Sequence, residues 1–332
     1  MKRIGIIGAG AWGTALALVS RRAGLEVRLQ ALEPEVAEAI NGSHENTLFL
    51  PGVALDPEIH ATTDPAEAAR DADALLLASP AQFLRSVLEG LATELTPGLP
   101  VVICAKGIEQ ETSALMSEIV AEVLPETPVA VLSGPTFAAE VAADFPTAVT
   151  LAAGDEALAI QLSEALGNPR FRIYRSDDPI GAQIGGAVKN VLAIGCGIVG
   201  GCGLGDNARA ALITRGLAEI VRLGVAKGAK PETLMGLSGI GDLTLTCNAM
   251  QSRNYSLGVA LGQGRALADI LSERTSVAEG VFSAASVTEL ARRLDIGMPI
   301  CLAVDGILNH FADINATIEG LLSRPAGAEE TQ

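Results

Sequence analysis

Basic residues are in short supply: 23 Lys and Arg stand against 39 Asp and Glu, a formal net charge of −16. Nucleic-acid binding needs a basic face that releases condensed counterions, and an anionic membrane surface attracts the same kind of patch. Neither partner fits this chain. Histidine is scarcer still, limited to His44, His60 and His310, none inside a distinctive motif. Each falls in an expected loop or helix end, where a solvated or structural role suits it better than proton transfer. The five cysteines, Cys104, Cys196, Cys202, Cys247 and Cys301, contain no C-x-x-C pair. Such an odd, scattered set reads as reduced thiols used as buried apolar spacers in a cytosolic protein. With so little His and such dispersed Cys there is no metal-ligand spacing, and no metal is expected.

Long hydrophobic runs are missing too, although mean hydropathy is +0.37. A membrane span takes about 20 predominantly apolar residues. The best candidate, residues 191–204, is shorter, rich in glycine and close behind Lys189. The first residues, Met1-Lys2-Arg3-Ile4, run straight into an expected strand without the apolar segment and cleavage site of a signal peptide. No span is expected, and the expected location is the cytoplasm. The sequence leaves a homodimer open.

What is present is a 332-residue chain with 49% hydrophobic residues, enough for two domains. The first half alternates short apolar runs with helical patterns, the signature of βαβ units. Strands are predicted at residues 3–7, 26–31, 74–79, 100–105, 129–133, 148–152 and 171–174, with helices at 11–22, 65–70, 81–91, 112–124 and 156–167 between them. Runs without alternation, such as Leu75-Leu76-Leu77 and Val101-Val102-Ile103, suit parallel strands covered on both faces. From about Asp178 only helical periodicity remains, at 181–199, 207–223, 282–294, 300–311 and 314–322. The predicted fold is therefore α/β: an N-terminal Rossmann-type doubly wound parallel sheet domain over residues 1–178, an all-α C-terminal domain over 179–323 packed to make a cleft, and a polar tail at 324–332.

Gly8-Ala9-Gly10-Ala11-Trp12-Gly13 is a G-x-G-x-x-G placed between an expected strand and an expected helix. There the first glycine permits a tight turn, the second lets backbone approach a pyrophosphate, and the third allows close helix packing. The helix N-terminus offers N–H groups to the anion. NAD or NADP is the expected cofactor, and the segment after the second strand should choose between them. It reads Gln30-Ala31-Leu32-Glu33-Pro34, with an acidic residue and no Arg, which leans towards NAD. Glu33 also suits the start of a helix at Pro34, where a carboxylate favours the positive dipole end.

Lysines are the candidate acid–base groups. Gly186-Ala187-Val188-Lys189-Asn190-Val191 sets one cation in an apolar, glycine-rich helix. Burial there would disfavour its charge and suit it to proton transfer near neutral pH, whereas snorkelling would leave its head in water. Lys106 and the segment Ser133-Gly134-Pro135-Thr136-Phe137 each follow a strand, on the side where open α/β sheets bind ligands. Plain turns would look the same. Gly241-Asp242-Leu243 and Ser252-Arg253-Asn254 complete the set. A hydroxyl, a planar cation and an amide in succession suit a phosphate, and equally a helix N-cap with polar neighbours.

Taken in order along nearly the whole chain, these segments resemble the bacterial-type NAD(P)-dependent glycerol-3-phosphate dehydrogenase family. Leu50-Pro51-Gly52, Lys106-Gly107-Ile108-Glu109, Thr214-Arg215-Gly216, Thr246-Cys247 and Glu279-Gly280 extend the match. The resemblance implies interconversion of sn-glycerol 3-phosphate and dihydroxyacetone phosphate, supplying glycerol phosphate for phospholipid synthesis, with no metal. It implies Lys189 as proton acceptor in oxidation, with Lys106 beside it keeping its pKa down and Asp242 orienting it. Substrate would meet Lys106, Gly134, Thr136, Lys189, Asp242, Ser252, Arg253 and Asn254. Cofactor would meet Gly8, Gly10, Ala11, Trp12, Gly13, Phe83, Lys106, Ala138, Arg253, Val277 and Glu279. Two departures stand out: Gln30 and Leu32 replace the family's frequent Trp and Arg, and Ala11 and Thr136 stand where Ser is common. The rival readings are a dehydrogenase of the 6-phosphogluconate or 3-hydroxyacid type, and a non-catalytic nicotinamide-sensing regulator, which need not keep both lysines.

Overall fold

The computed structural model describes residues 1–273 and 278–325. The chain divides into two compact units, Met1–Lys106 with Ala114–Gln183, and Gly107–Ser113 with Ile184–Gln332.

The first unit runs β1 (Arg3–Ile7), α1 (Ala11–Arg22), β2 (Glu26–Gln30), α2 (Pro34–Ser43), β3 (Glu45–Asn46), β4 (Leu50–Ala54), β5 (Ile59–Thr62) and α3 (Pro65–Ala69). It continues through β6 (Ala74–Leu77), α4 (Leu84–Leu91), β7 (Val101–Ile103), α5 (Met116–Val123), β8 (Val129–Ser133), α6 (Ala138–Ala142), β9 (Thr147–Ala153), α7 (Glu156–Leu166) and β10 (Phe171–Ser176). Eight strands form one sheet in the order β10-β9-β8-β7-β6-β1-β2-β5, and β3 with β4 makes a separate hairpin. Alternate strand residues feed two cores. Ile4, Ile6, Leu76, Val102 and Leu132 pack with Leu16 and Val19 of α1 on one face. Leu75, Leu77, Val101, Ile103 and Val131 pack with Leu84 and Leu88 of α4 and Ile119 of α5 on the other. Strands covered on both sides have no polar face to show, which is why their sequences do not alternate.

One pairing departs from the all-parallel expectation. β8 and β9 are antiparallel, so β9 and β10 run against the other six strands of the sheet. An apolar run such as residues 148–152 carries no directional signal, because both faces are buried whichever way it points. The chain passes from β1 to β2 and β5 on one side, then returns to β6 on the other. That reversal puts the topological switch point at the carboxyl ends of β1 and β6.

The second unit contains most of α8 (Pro179–Gly201), then α9 (Gly205–Lys227), α10 (Pro231–Leu234), a π-helical turn at Leu237–Gly241, α11 (Asp242–Asn248), α12 (Arg253–Gly262), α13 (Leu267–Ser272), α14 (Glu279–Arg293), α15 (Pro299–Asn309) and α16 (Ile314–Leu322). Among the described residues no strand follows β10. The apolar helix is longer than residues 191–204 suggest: α8 has 23 residues and by length and composition could cross a membrane. The most apolar window of α8 is 89% buried inside the protein, the condition of a core helix.

The glycines of α8 explain that burial. A Cβ at Gly197 would lie 2.2 Å from the carbonyl oxygen of Tyr255, and one at Gly201 2.3 Å from that of Val259. In return, a Cβ at Gly258 would lie 2.1 Å from Ile194 O, and one at Gly262 2.5 Å from Ile198 O. Helices α8 and α12 therefore meet backbone to backbone, each glycine lying under the other helix. Upstream, Gly185 lies against the π turn, where a Cβ would come 2.4 Å from Ser238 O.

Candidate active site

In the first unit the glycine loop between β1 and α1 divides its labour as the fingerprint requires. Gly8 has φ +103°, and a Cβ there would sit 2.7 Å from the backbone nitrogen of Ser79, just past β6. Gly13 allows the helix to close on the strand, since its Cβ would lie 1.9 Å from Gly8 O. Gly10 differs: a Cβ there meets nothing within 4 Å, leaving open space at the N-terminus of α1. Strand end, tight turn and open helix N-terminus together fit a dinucleotide pyrophosphate. Ala11 and Trp12 are the first helical residues, half-buried, and the buried Trp12 Nε1 has no hydrogen-bond partner. At the end of β2, Leu32 is 80% exposed, and Glu33 is the N-cap of α2 with no side-chain capping bond, followed by Pro34 at the first helical position. The helix does start where Pro34 signals it.

At the carboxyl ends of β7 and β8, Lys106 Nζ donates to Gly134 O at 3.0 Å, and Thr136 Oγ1 donates to the same carbonyl at 3.3 Å. Gly134 has φ +149°, so the turn after β8 takes a shape that favours glycine. Ala138 opens α6, and Phe83 lies in the short 3-10 turn before α4, 57% exposed.

In the second unit α8 carries Lys189 into the interior, 6% exposed. Its Nζ is 2.5 Å from Asp242 Oδ1 and 2.9 Å from Thr246 Oγ1. Snorkelling is excluded. A buried ammonium is costly unless paired, and Asp242, wholly out of solvent at the start of α11, is that pair. Thr246, one turn on, donates its hydroxyl to Asp242 O at 2.7 Å, so its oxygen faces Lys189 as an acceptor. The π turn delivers Asp242 to this place; such turns recur at functional sites.

The Ser-Arg-Asn segment heads α12. Ser252 is its N-cap, its Oγ accepting from Tyr255 N at 3.2 Å, and is buried. Arg253 is exposed at the first helical position. Asn254 is buried and points inward, donating to Asn190 Oδ1 at 2.9 Å and accepting from Gly280 N at 3.0 Å. One amide thus ties α8, α12 and the first turn of α14 together. Glu279 is half-buried beside it, while Val277 lies outside the described residues.

The thiols behave as spacers. All five cysteines are free, and all but Cys202 are buried. Burial pushes the Cys104 thiol up to about 12, against the opposing charge of Lys106. The Cys247 thiol is raised by its hydrogen bond with Cys196 and by burial. Among the described residues no group of His, Cys, Asp or Glu could hold a metal ion.

Residues 3–159 match the N-terminal domain and residues 178–319 the C-terminal domain of NAD-dependent glycerol-3-phosphate dehydrogenase. The chain belongs to that family. It is 64% identical over 327 residues to the glycerol-3-phosphate dehydrogenase [NAD(P)+] of Rhodospirillum rubrum, covering 98% of this chain and 93% of the relative. The enzyme of the same name from Caulobacter vibrioides is 56% identical, with 99% of both chains covered. The crystal structure of glycerol-3-phosphate dehydrogenase from Coxiella burnetii superimposes with a TM-score of 0.94 at 39% identity, covering 97% of this chain and 99% of that one.

Three polar residues of this glycerol-3-phosphate dehydrogenase family member carry more structure than their sequence context suggested. Asn46, fully buried, holds the glycine loop from the β3–β4 hairpin. Asn190 and Thr246 sit beside the singled-out Lys189 and Cys247 but face the buried polar cluster themselves. Their signal was only an amide or hydroxyl in an apolar setting, which also describes many capping residues.

Proposed function

We propose that this protein interconverts dihydroxyacetone phosphate and sn-glycerol 3-phosphate with a nicotinamide dinucleotide, with Lys189 as general acid and base. The observation that carries the chemistry is the buried Lys189 ammonium, held between Asp242 Oδ1 and Thr246 Oγ1. These two acceptors fix Nζ in place, so the amine is positioned rather than mobile. In reduction Lys189 gives a proton to the C2 carbonyl oxygen; in oxidation it takes one from the C2 hydroxyl. Asp242 and Thr246 hold Nζ and offset its charge. Arg253 presents a planar guanidinium to the substrate phosphate, aided by the hydroxyl of Ser252 and the N-terminus of α12. Lys106, Gly134 and Thr136 contribute the strand-end contacts to substrate. Binding energy from the phosphate, remote from C2, positions the reacting carbon.

The dinucleotide, when bound, is the hydride carrier. Gly8, Gly10 and Gly13 shape the cradle for its pyrophosphate, with Trp12, Phe83, Ala138 and Glu279 as further contacts. NAD is the preferred form: the exposed Leu32 brings no cation to a 2′-phosphate, and the Glu33 carboxylate makes no capping bond that would divert it from a ribose hydroxyl. The product serves phospholipid synthesis.

Mixing the protein with NADH or NADPH and dihydroxyacetone phosphate, and following absorbance of the reduced nicotinamide, tests the reading. NADH should be used with the higher kcat/KM. Turnover of a 3-hydroxyacid or 6-phosphogluconate but not of dihydroxyacetone phosphate would overturn the substrate assignment, and a preference for NADPH would overturn the cofactor lean.

A further inference from the structure

The β3–β4 hairpin has no part in the sheet, yet its Asn46 is completely buried against the glycine loop. Asn46 Nδ2 lies 2.8 Å from Ala9 O and 2.8 Å from Thr14 Oγ1. Its Oδ1 accepts from Phe49 N at 3.0 Å, which locks the amide's orientation to the hairpin. The Thr14 hydroxyl, also fully buried, leans on the same Ala9 carbonyl at 3.4 Å. Ala9 O is therefore drawn into the protein by donors from two directions.

A trans peptide is planar, with its C=O and N–H pointing in opposite directions. Drawing Ala9 O inward turns the N–H of the same peptide, that of Gly10, outward. Gly10 is the loop residue whose Cβ direction is open space, at the N-terminus of α1. The geometry points to Asn46 as a positioning residue: from the hairpin, it aims the Gly10 N–H at the cofactor pyrophosphate. The inference rests on the dinucleotide reading of the glycine loop. It also gives the hairpin a task, since without the Asn46 bridge the 9–10 peptide could rotate and withdraw its donor.

Binding can be read directly, because Trp12, the only tryptophan in the chain, lies in the first turn of α1. Its fluorescence should be titrated with NADH, with ADP-ribose and with adenosine, which lacks the pyrophosphate. Asn46→Ala and Asn46→Asp, the latter keeping the acceptor for Phe49 N, should each weaken NADH and ADP-ribose about tenfold and leave adenosine within about twofold. The KM for dinucleotide should rise with little change in kcat. Equal weakening of all three ligands, or no weakening in a folded variant, overturns the inference. Thr14→Val and Thr14→Ser provide an independent pair should the Asn46 variants not fold. Valine should reproduce the pyrophosphate-specific loss and serine restore binding; the same affinity in both overturns the inference. Wild-type protein that binds NADH but does not turn over dihydroxyacetone phosphate would refute the substrate reading alone, whereas wild-type protein that binds no dinucleotide refutes both.

Discussion

Lys189 Nζ and Asp242 Oδ1 stand 2.5 Å apart with both side chains withdrawn from solvent. The pair joins the middle of one helix to the first residue of another, and each charge offsets the cost of burying the other.

Lys189→Ala should therefore do two separable things. Loss of the proton-transfer group should lower kcat about 10²–10⁴-fold while dinucleotide affinity, read from Trp12 fluorescence, stays near wild type. Removing the cation that faces buried Asp242 should cost about 3–5 kcal/mol in denaturant unfolding. The double variant Lys189→Met with Asp242→Leu should recover much of that stability and none of the rate. A rate that survives in folded Lys189→Ala would remove the lysine from the mechanism.

Two glycines three residues apart should respond oppositely to the same methyl group. Gly13→Ala drives a Cβ to 1.9 Å from Gly8 O, a backbone atom that cannot step aside, so the unit should be strongly destabilised. Gly10→Ala puts its Cβ into open space, so folding should be intact and dinucleotide KM raised. Thermal melts paired with cofactor titrations check both.

Glu219 of α9 is almost wholly buried and accepts the N–H groups of Ile300 and Cys301, at 2.7 and 3.1 Å, at the start of α15. Burial raises its pKa above 4.5, and those two backbone bonds oppose the rise without cancelling it. A raised folded pKa means the folded state holds the proton more tightly, so this group's contribution is fully present below pH 4.5 and is lost as pH rises through the folded value. Glu219→Gln should flatten that part of the stability-versus-pH curve. Glu219→Ala should cost about 1–3 kcal/mol by stranding the two buried donors. An unchanged slope in Glu219→Gln would show that other groups set it.

Cys202 is the only one of the five cysteines not buried. A bulky maleimide under native conditions should label Cys202 first and slowly, since burial raises its thiol pKa too, and label all five after unfolding. Mass spectrometry distinguishes the sites. Rapid native labelling of Cys104 or Cys301 would contradict their placement in the core.

The sequence exposed the fold well where burial and local chemistry coincide. β1, α1 and β8 begin and end at the predicted residues because a covered strand, a glycine turn and a helix N-terminus each leave a local mark. The antiparallel turn at β9 left none, since direction belongs to the connection rather than to the residues. β3, β4 and the π turn were hidden for a different reason: Leu50-Pro51-Gly52 and Gly239-Ile240-Gly241 are too short and too rich in glycine or proline to show a strand or helix period. At the site, residues whose charge is unusual in an apolar context, Lys189 above all, were visible singly. The pairing of residues 189 and 242 entered only through the family resemblance, because nothing local marks it and it is made only when α8 and α11 meet.

The interleaved glycines of α8 and α12 have a consequence for selectivity. Where Gly197, Gly201, Gly258 and Gly262 meet the facing helix, carbonyl oxygens and α-carbons stand in place of side chains, so there is little soft layer to compress. Lys189 rides on one of these helices and Ser252, Arg253 and Asn254 on the head of the other, so the span from the proposed proton donor to the proposed anion clamp is set by backbone contact. On that proposed reading, a ligand one bond too long or too short meets a ruler rather than a glove and should be refused at the chemical step instead of being accommodated with a looser fit.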